Sequence, residues 1–127
     1  LDDGTVYCMV DIANLFAINA EHSRQVGDEI IKMFTQYLKE AFGKTEAQFI
    51  YNGNGSFVIL AENTDYITVE DIVRLFGLRL DDRDEHNELT IEYKVGIAET
   101  FKEIVTARKL LSEAIKNKKV FVSEGQK

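Results

Sequence analysis

The stretch that most constrains this chain is Phe49-Ile50-Tyr51-Asn52-Gly53-Asn54-Gly55-Ser56-Phe57-Val58-Ile59-Leu60, in which two apolar, β-favouring runs flank Asn-Gly-Asn-Gly. Asn-Gly between such runs is the strongest short-range sign of a tight antiparallel hairpin. Glycine reaches positive φ without steric cost, and asparagine tolerates it better than most residues. Turn chemistry alone says no more than that, since many plain hairpins share it.

The rest of the chain supplies the neighbours. Thr5 to Ile12 is a short apolar run ending at Asp11, which reads as a central strand buried on both faces with an acid at its C-terminal end. Ligand sites in open α/β sheets lie at such ends. After a linking segment, Ser23 to Phe42 has helical periodicity, with Val26, Ile30, Met33, Phe34, Tyr37, Leu38 and Ala41 on one face and Gly43 as C-cap. Thr68-Val69-Glu70-Asp71 reads as a capping box opening a helix through Val73, Phe76 and Leu80. The polar cluster Asp81 to Asn87 reads as a solvated loop, because the fixed ligand spacing of a calcium loop is missing. Leu89 to Ile97 alternates as a strand with one wet face. Thr100 to Glu103 repeats the capping box before a helix carrying Ile104, Ala107, Leu111, Ala114 and Ile115, and Val120 to Val122 makes a short last strand. The order is βα(α)ββαβαβ. It predicts an α/β (α+β) fold with helices packed on a mixed, mainly antiparallel sheet of about five strands.

Charge and hydropathy exclude some partners. A formal net charge of −7 argues against nucleic acid or an acidic membrane surface. No run approaches the ~20 apolar residues of a membrane helix, so direct membrane insertion is not expected. Cys8 lies in an apolar run and reads as a buried small hydrophobe, which fits a cytoplasmic location. His22 and His86 stand too isolated for a metal or proton-transfer role. At 127 residues without an internal linker, residues 1–127 read as one domain, and the N-terminal Leu1 suggests a fragment of a larger multidomain protein.

Four stretches in order then resemble the diguanylate cyclase (GGDEF) family. Tyr51 to Phe57 sits where that family carries its Arg-x-Gly-Gly-Asp-Glu-Phe hairpin, here ending Gly53-Asn54-Gly55-Ser56-Phe57. Asp11, Asn19, Gly27 and Asp28 fall without a gap on the family's Asp-x-Asp-x-Phe-Lys-x-x-Asn-Asp-x-x-Gly-His-x-x-Gly-Asp frame. Val95-Gly96-Ile97-Ala98 resembles the Ser-x-Gly-Ile/Val-Ala strand, and the last helix occupies the right place.

The resemblance implies a nucleotide-cyclase, palm-like βααββαβ fold, and a chemistry joining two GTP molecules into cyclic di-GMP. It places the metal ligands at Asp11, the Ile12 carbonyl and Gly55, and the second hairpin acid at Ser56, so both acids are absent and no catalytic residue is assigned. The family's phosphate-contacting Lys and Arg fall on Ile115 and Lys119, and a further Lys falls on Phe16, so cations are lost as well. What is retained is guanine reading by Asn19 and Asp28, with Gly53 and Gly55 offering backbone N–H groups and Lys119 a charge to phosphate. Lys44-Thr45-Glu46-Ala47 stands where the family's product-inhibition Arg-x-x-Asp would be.

The expectation is therefore a degenerate, catalytically inactive regulatory domain of a bacterial cyclic di-GMP signalling protein. Its expected partners are a guanine nucleotide, the attached signalling domains and a second copy in a homodimer. It would be cytoplasmic, tethered to a membrane only through other domains. No cofactor is required, and Mg²⁺ would bind only weakly with GTP at a vestigial site of Asp11 and Ile12. Two alternatives stay open: residual cyclase or nucleotide hydrolase activity, and a ligand-free scaffold or dimerisation module.

Overall fold

The structure, a computed structural model, describes residues 4–100 and 113–123. The elements run β1 (Thr5–Ile12), α1 (Leu15–Glu21), α2 (Arg24–Ala41), β2 (Glu46–Gly53), β3 (Ser56–Glu62), α3 (Tyr66–Asp81), β4 (Ile91–Thr100) and β5 (Lys119–Ser123). They form a 5-stranded sheet in the order β2-β3-β1-β4-β5. All the described pairings are antiparallel, so the sheet has no parallel pair to make it mixed.

β1 sits at the centre because its sequence is apolar on both faces. Val6, Cys8, Val10 and Ile12 join the large core under the helices, while Met9 joins a smaller cluster with Val58, Ala98 and Ala114. Strand alternation makes that split obligatory. On the helix side, α2 buries Ile30, Met33, Phe34, Tyr37 and Leu38, and α3 buries Val69, Ile72, Val73, Phe76 and Leu80. Phe34 is the hub: its ring meets Phe76 edge-on at 5.3 Å, Tyr93 edge-on at 5.9 Å, and stacks on Phe57 at 6.2 Å. Truncating such a residue to alanine costs about 3–5 kcal/mol.

The hairpin is tighter than Asn52 to Gly55. Gly53 already pairs with Ser56, leaving Asn54 and Gly55 as the loop, at φ 54° and 78°. Positive φ at both central positions is what a type I′ turn requires. A one-residue bulge between Tyr51 and Gly53 accommodates Asn52.

Three local expectations need correction. The α3 cap is Asp65, whose carboxylate accepts from the Thr68 N–H at 2.8 Å, so Thr68 lies inside the helix. Phe42 rather than Gly43 caps α2, and Gly43 does not take positive φ. The linking segment holds α1, the second helix that the expected order allowed before the hairpin, and it buries Leu15 and Ile18. β4 alternates only over its first half: Val95 to Ala98 are all buried, because the turn of helix at 113–116 covers the second face. The capping box at Thr100 to Glu103 and the first part of the last helix, with Ile104, Ala107 and Leu111, lie outside the described residues.

Candidate functional site

At the C-terminal end of β1 the chain gathers Asp11, Ser56 and Lys118, with Lys94 on the same face. Asp11 pairs with Ser56 of β3 on one side and Lys94 of β4 on the other. Residues paired across neighbouring strands point to one face, here the face away from α1–α3. The Ser56 hydroxyl donates to Asp11 Oδ1 at 2.7 Å. Lys118 Nζ donates to Asp11 Oδ2, in an ion pair whose side chains are about one-fifth to one-quarter exposed. Both carboxylate oxygens are thus engaged. The strand end is fixed by Ile12 N–H donating to Gly55 O at 2.9 Å, which ties β1 to the hairpin turn.

Lys118 is held in place by its surroundings. Asn117 Nδ2 donates to Ile97 O at 3.1 Å, and a Cβ on Gly96 would stand 3.1 Å from Lys118 Cγ. Lys119, expected to offer a charge to phosphate, is exposed at the start of β5, while its neighbour Lys118 reaches Asp11. Ile115 is exposed in the preceding helical turn.

On the other side of the strand end lies a pocket of about 210 Å³ lined by Ile12, Ala13, Leu15, Phe16, Asn19 and Asn54. Asn19 Oδ1 is buried there without a hydrogen-bond partner. Gly27 permits this packing, since a Cβ on it would fall 1.8 Å from that oxygen. Asp28 follows Gly27 but is exposed and does not line the pocket, and neither do Gly53 or Lys119. Gly55 N–H is not available to a phosphate, because it donates to the Tyr51 hydroxyl at 2.8 Å.

Asn14, not singled out by sequence reasoning, clasps β1 to β4. Its Nδ2 donates to Thr90 O and its Oδ1 accepts from Glu92 N–H, both at 2.9 Å. His22 is exposed, and His86 contacts Glu29 Oε1 at 2.9 Å, bridging the α3–β4 loop to α2.

The donor set does not fit Mg²⁺, which demands several oxygen ligands in near-octahedral geometry. Asp11 offers one carboxylate already bound at both oxygens, Gly55 has no side chain, and the described residues contain no cluster of three His, Cys, Asp or Glu able to hold a metal. No helix among the described residues is long and apolar enough to cross a membrane.

Comparison with known proteins agrees with this architecture. Residues 3–121 match the family described as Diguanylate cyclase, GGDEF domain. No functionally curated protein matches the sequence. Among solved structures, the active GGEEF domain of a diguanylate cyclase from Vibrio cholerae superposes with TM-score 0.79 at 18% identity, over 90% of this chain and 73% of that one. An EAL/GGDEF domain protein from M. capsulatus gives 0.75 at 20%, over 90% and 75%. The GGDEF domain of DgcB from Caulobacter crescentus, in complex with c-di-GMP, gives 0.77 at 16%, over 90% and 69%. With the family matched over nearly its whole length and the antiparallel sheet carrying the hairpin beside β1, the chain belongs to the diguanylate cyclase GGDEF domain family.

Proposed function

We propose that this GGDEF domain makes no cyclic di-GMP and serves as a regulatory domain, receiving a guanine nucleotide and controlling a domain attached to it in a larger signalling protein. The observation that carries the reading is the state of Asp11. Its carboxylate is held by a serine hydroxyl and a lysine ammonium, beside a turn whose Gly55 offers no acid. Phosphoryl transfer depends on metal and cationic charge aimed at the developing negative charge, and that electrostatic arrangement is missing.

The buried, unpartnered Asn19 Oδ1 supports a retained base site. Leaving such an atom unpaired costs about 1–3 kcal/mol, which a guanine edge would recover. At about 210 Å³ the pocket falls below the usual range for drug-sized ligands, so it suits a base with its phosphates outside. Asp28, exposed beside Gly27, is the second reader, and would swing inward on binding. The pocket lined by Lys44, Thr45, Glu46, Glu62, Asn63, Thr64 and Thr68 mixes one lysine with two acids, which suits a dianionic product poorly, so cyclic di-GMP is not bound there.

Two measurements test the proposal. Incubation with GTP and Mg²⁺ or Mn²⁺ should give no dinucleotide on chromatography; product that disappears in Asp11→Ala overturns it. Calorimetric titration should show GTP and GDP binding at micromolar Kd or weaker, ahead of ATP, with little dependence on Mg²⁺. Equal affinity for ATP, or GTP binding unchanged in Asn19→Ala and Asp28→Ala, removes the guanine assignment.

A further inference from the structure

We infer that Lys118 is a built-in cation that takes the place of the divalent metal at Asp11, and that its ammonium is what keeps such an ion out. The observations are local. One Asp11 oxygen accepts from the Ser56 hydroxyl at 2.7 Å and the other from Lys118 Nζ. Lys94 is the cross-strand partner of Asp11, so a second positive charge stands on the same face. The carboxylate therefore already has its counter-ion, and a divalent ion arriving there meets an anion whose charge the Lys118 ammonium already balances.

Lys118 is placed, not merely nearby. Its stem passes over Gly96, where a side chain would crowd it, and the preceding Asn117 is bonded to the β4 backbone at Ile97. Its own N–H donates to Ile115 O at 3.3 Å, closing the turn that ends the last helix. The ammonium is thus delivered by the helix-to-β5 junction, while the carboxylate is delivered by β1. Metal exclusion becomes a property of how those two segments meet.

The inference shares with the proposed function the premise that Asp11 holds no catalytic metal, but its test needs no nucleotide. Mn²⁺ alone is titrated into the protein and the free ion is followed by electron paramagnetic resonance, in wild type, Asp11→Asn, Lys118→Met, Lys118→Arg and the double variant Asp11→Asn/Lys118→Met. Wild type, Asp11→Asn and Lys118→Arg should bind Mn²⁺ alike and poorly. Removing one ammonium a few ångströms from a divalent ion, even at a water-like dielectric, should tighten binding in Lys118→Met about tenfold or more, and the double variant should lose that gain. Lys118→Gln repeats the test with a side chain that stays polar, should the methionine disturb the turn. Asp11-dependent Mn²⁺ binding in wild type as tight as in Lys118→Met overturns the inference, as does an Mn²⁺ affinity that neither neutral substitution changes. Nucleotide binding can fail while this result stands, and the converse holds, so the two ideas fall separately.

Discussion

Arg83 sits in a stretch that reads as solvated loop, yet it is 3% exposed, and replacing it should be among the costliest single changes in the chain. Its Nη1 donates to Leu80 O at 3.0 Å and to Ser123 Oγ at 2.9 Å, its Nη2 to Leu89 O, and its Nε to His86 O at 3.3 Å. Ser123 passes the chain on, donating to Asp81 Oδ1 at 2.7 Å. One guanidinium thus joins the end of α3, the start of β4 and the end of β5. Burial pulls its pKa below the ordinary value, with Asp81 acting in the opposite direction. Arg83→Met keeps the stem and removes every donor. Leu80 O and His86 O each retain a backbone N–H, from Arg83 and Leu89, so Leu89 O and the Ser123 hydroxyl bear the loss. Charge-assisted bonds contribute about 1.5–3 kcal/mol each, partly offset because the desolvation of the guanidinium is no longer suffered, which leaves a net loss of about 3 kcal/mol. For a 127-residue chain that lowers Tm by roughly 10 °C. Urea and thermal unfolding followed by circular dichroism read both quantities. Arg83→Lys should recover less than half, since a point charge cannot reach acceptors set around a planar fork. A loss under about 1 kcal/mol in Arg83→Met, or a lysine variant equal to wild type, would refute the reasoning.

Two further outcomes are expected. Burial raises the Cys8 thiol from 9.0 to about 12, and burial, then Asp81, raises the Tyr93 hydroxyl from 10.0 to about 12. The folded state keeps these protons where the unfolded chain loses them, so stability holds below pH 9 and falls above it, by up to about 1.4 kcal/mol per pH unit for each group. Urea midpoints that stay level from pH 8 to pH 11 would contradict this, as would rapid labelling of native Cys8 by a thiol reagent at pH 8. Gly96→Ala puts a Cβ 1.9 Å from the Ala114 carbonyl oxygen, a backbone atom that cannot rotate away. It should cost about 3 kcal/mol or more and loosen Lys118 from Asp11, seen as a lowered Tm together with a shift of the Lys118 ammonium resonance.

The parts of the fold legible in the sequence are those written in short-range periodicity. The α2 stripe, the alternating start of β4 and the Asn-Gly turn each need only a few neighbouring residues to declare themselves. What stayed hidden depends on partners far along the chain. Arg83 looks solvated because its near acceptors, the Leu80, His86 and Leu89 carbonyls, are backbone atoms that no side-chain pattern marks, and Ser123, which closes over it, is 40 residues away. Asn14 stands at the N-cap position of α1, yet its side chain makes no cap bond and serves β4 at a separation of 76 residues or more. Asp65 lost to Thr68 as the expected cap because both satisfy the same local rule, and only the entry angle of the chain decides between them.

The candidate site divides the same way, and the sheet shows why. Val10 and Phe57 pair across β1 and β3 and both face the helices; one step on, Asp11 and Ser56 pair and face the opposite side. A slip of one residue in the hairpin would send Ser56 into the core and bring an apolar side chain to Asp11, so the Asn54-Gly55 turn and the bulge at Asn52 set the polar pairing. That much follows from a turn the sequence announces. The Asn19 pocket belongs to the helix side of the same strand end, built by α1 packing on Gly27, so the proposed base site and the Asp11 cluster lie on either side of one strand. Lys118 is different in kind. Nothing in Lys118-Lys119 says which lysine turns inward, because that depends on the phase at which a helix gives way to β5 and on the space left by Gly96. The residue that governs the charge at Asp11 is therefore selected by a junction, and a substitution at that junction would change the site's electrostatics without touching any residue of the hairpin.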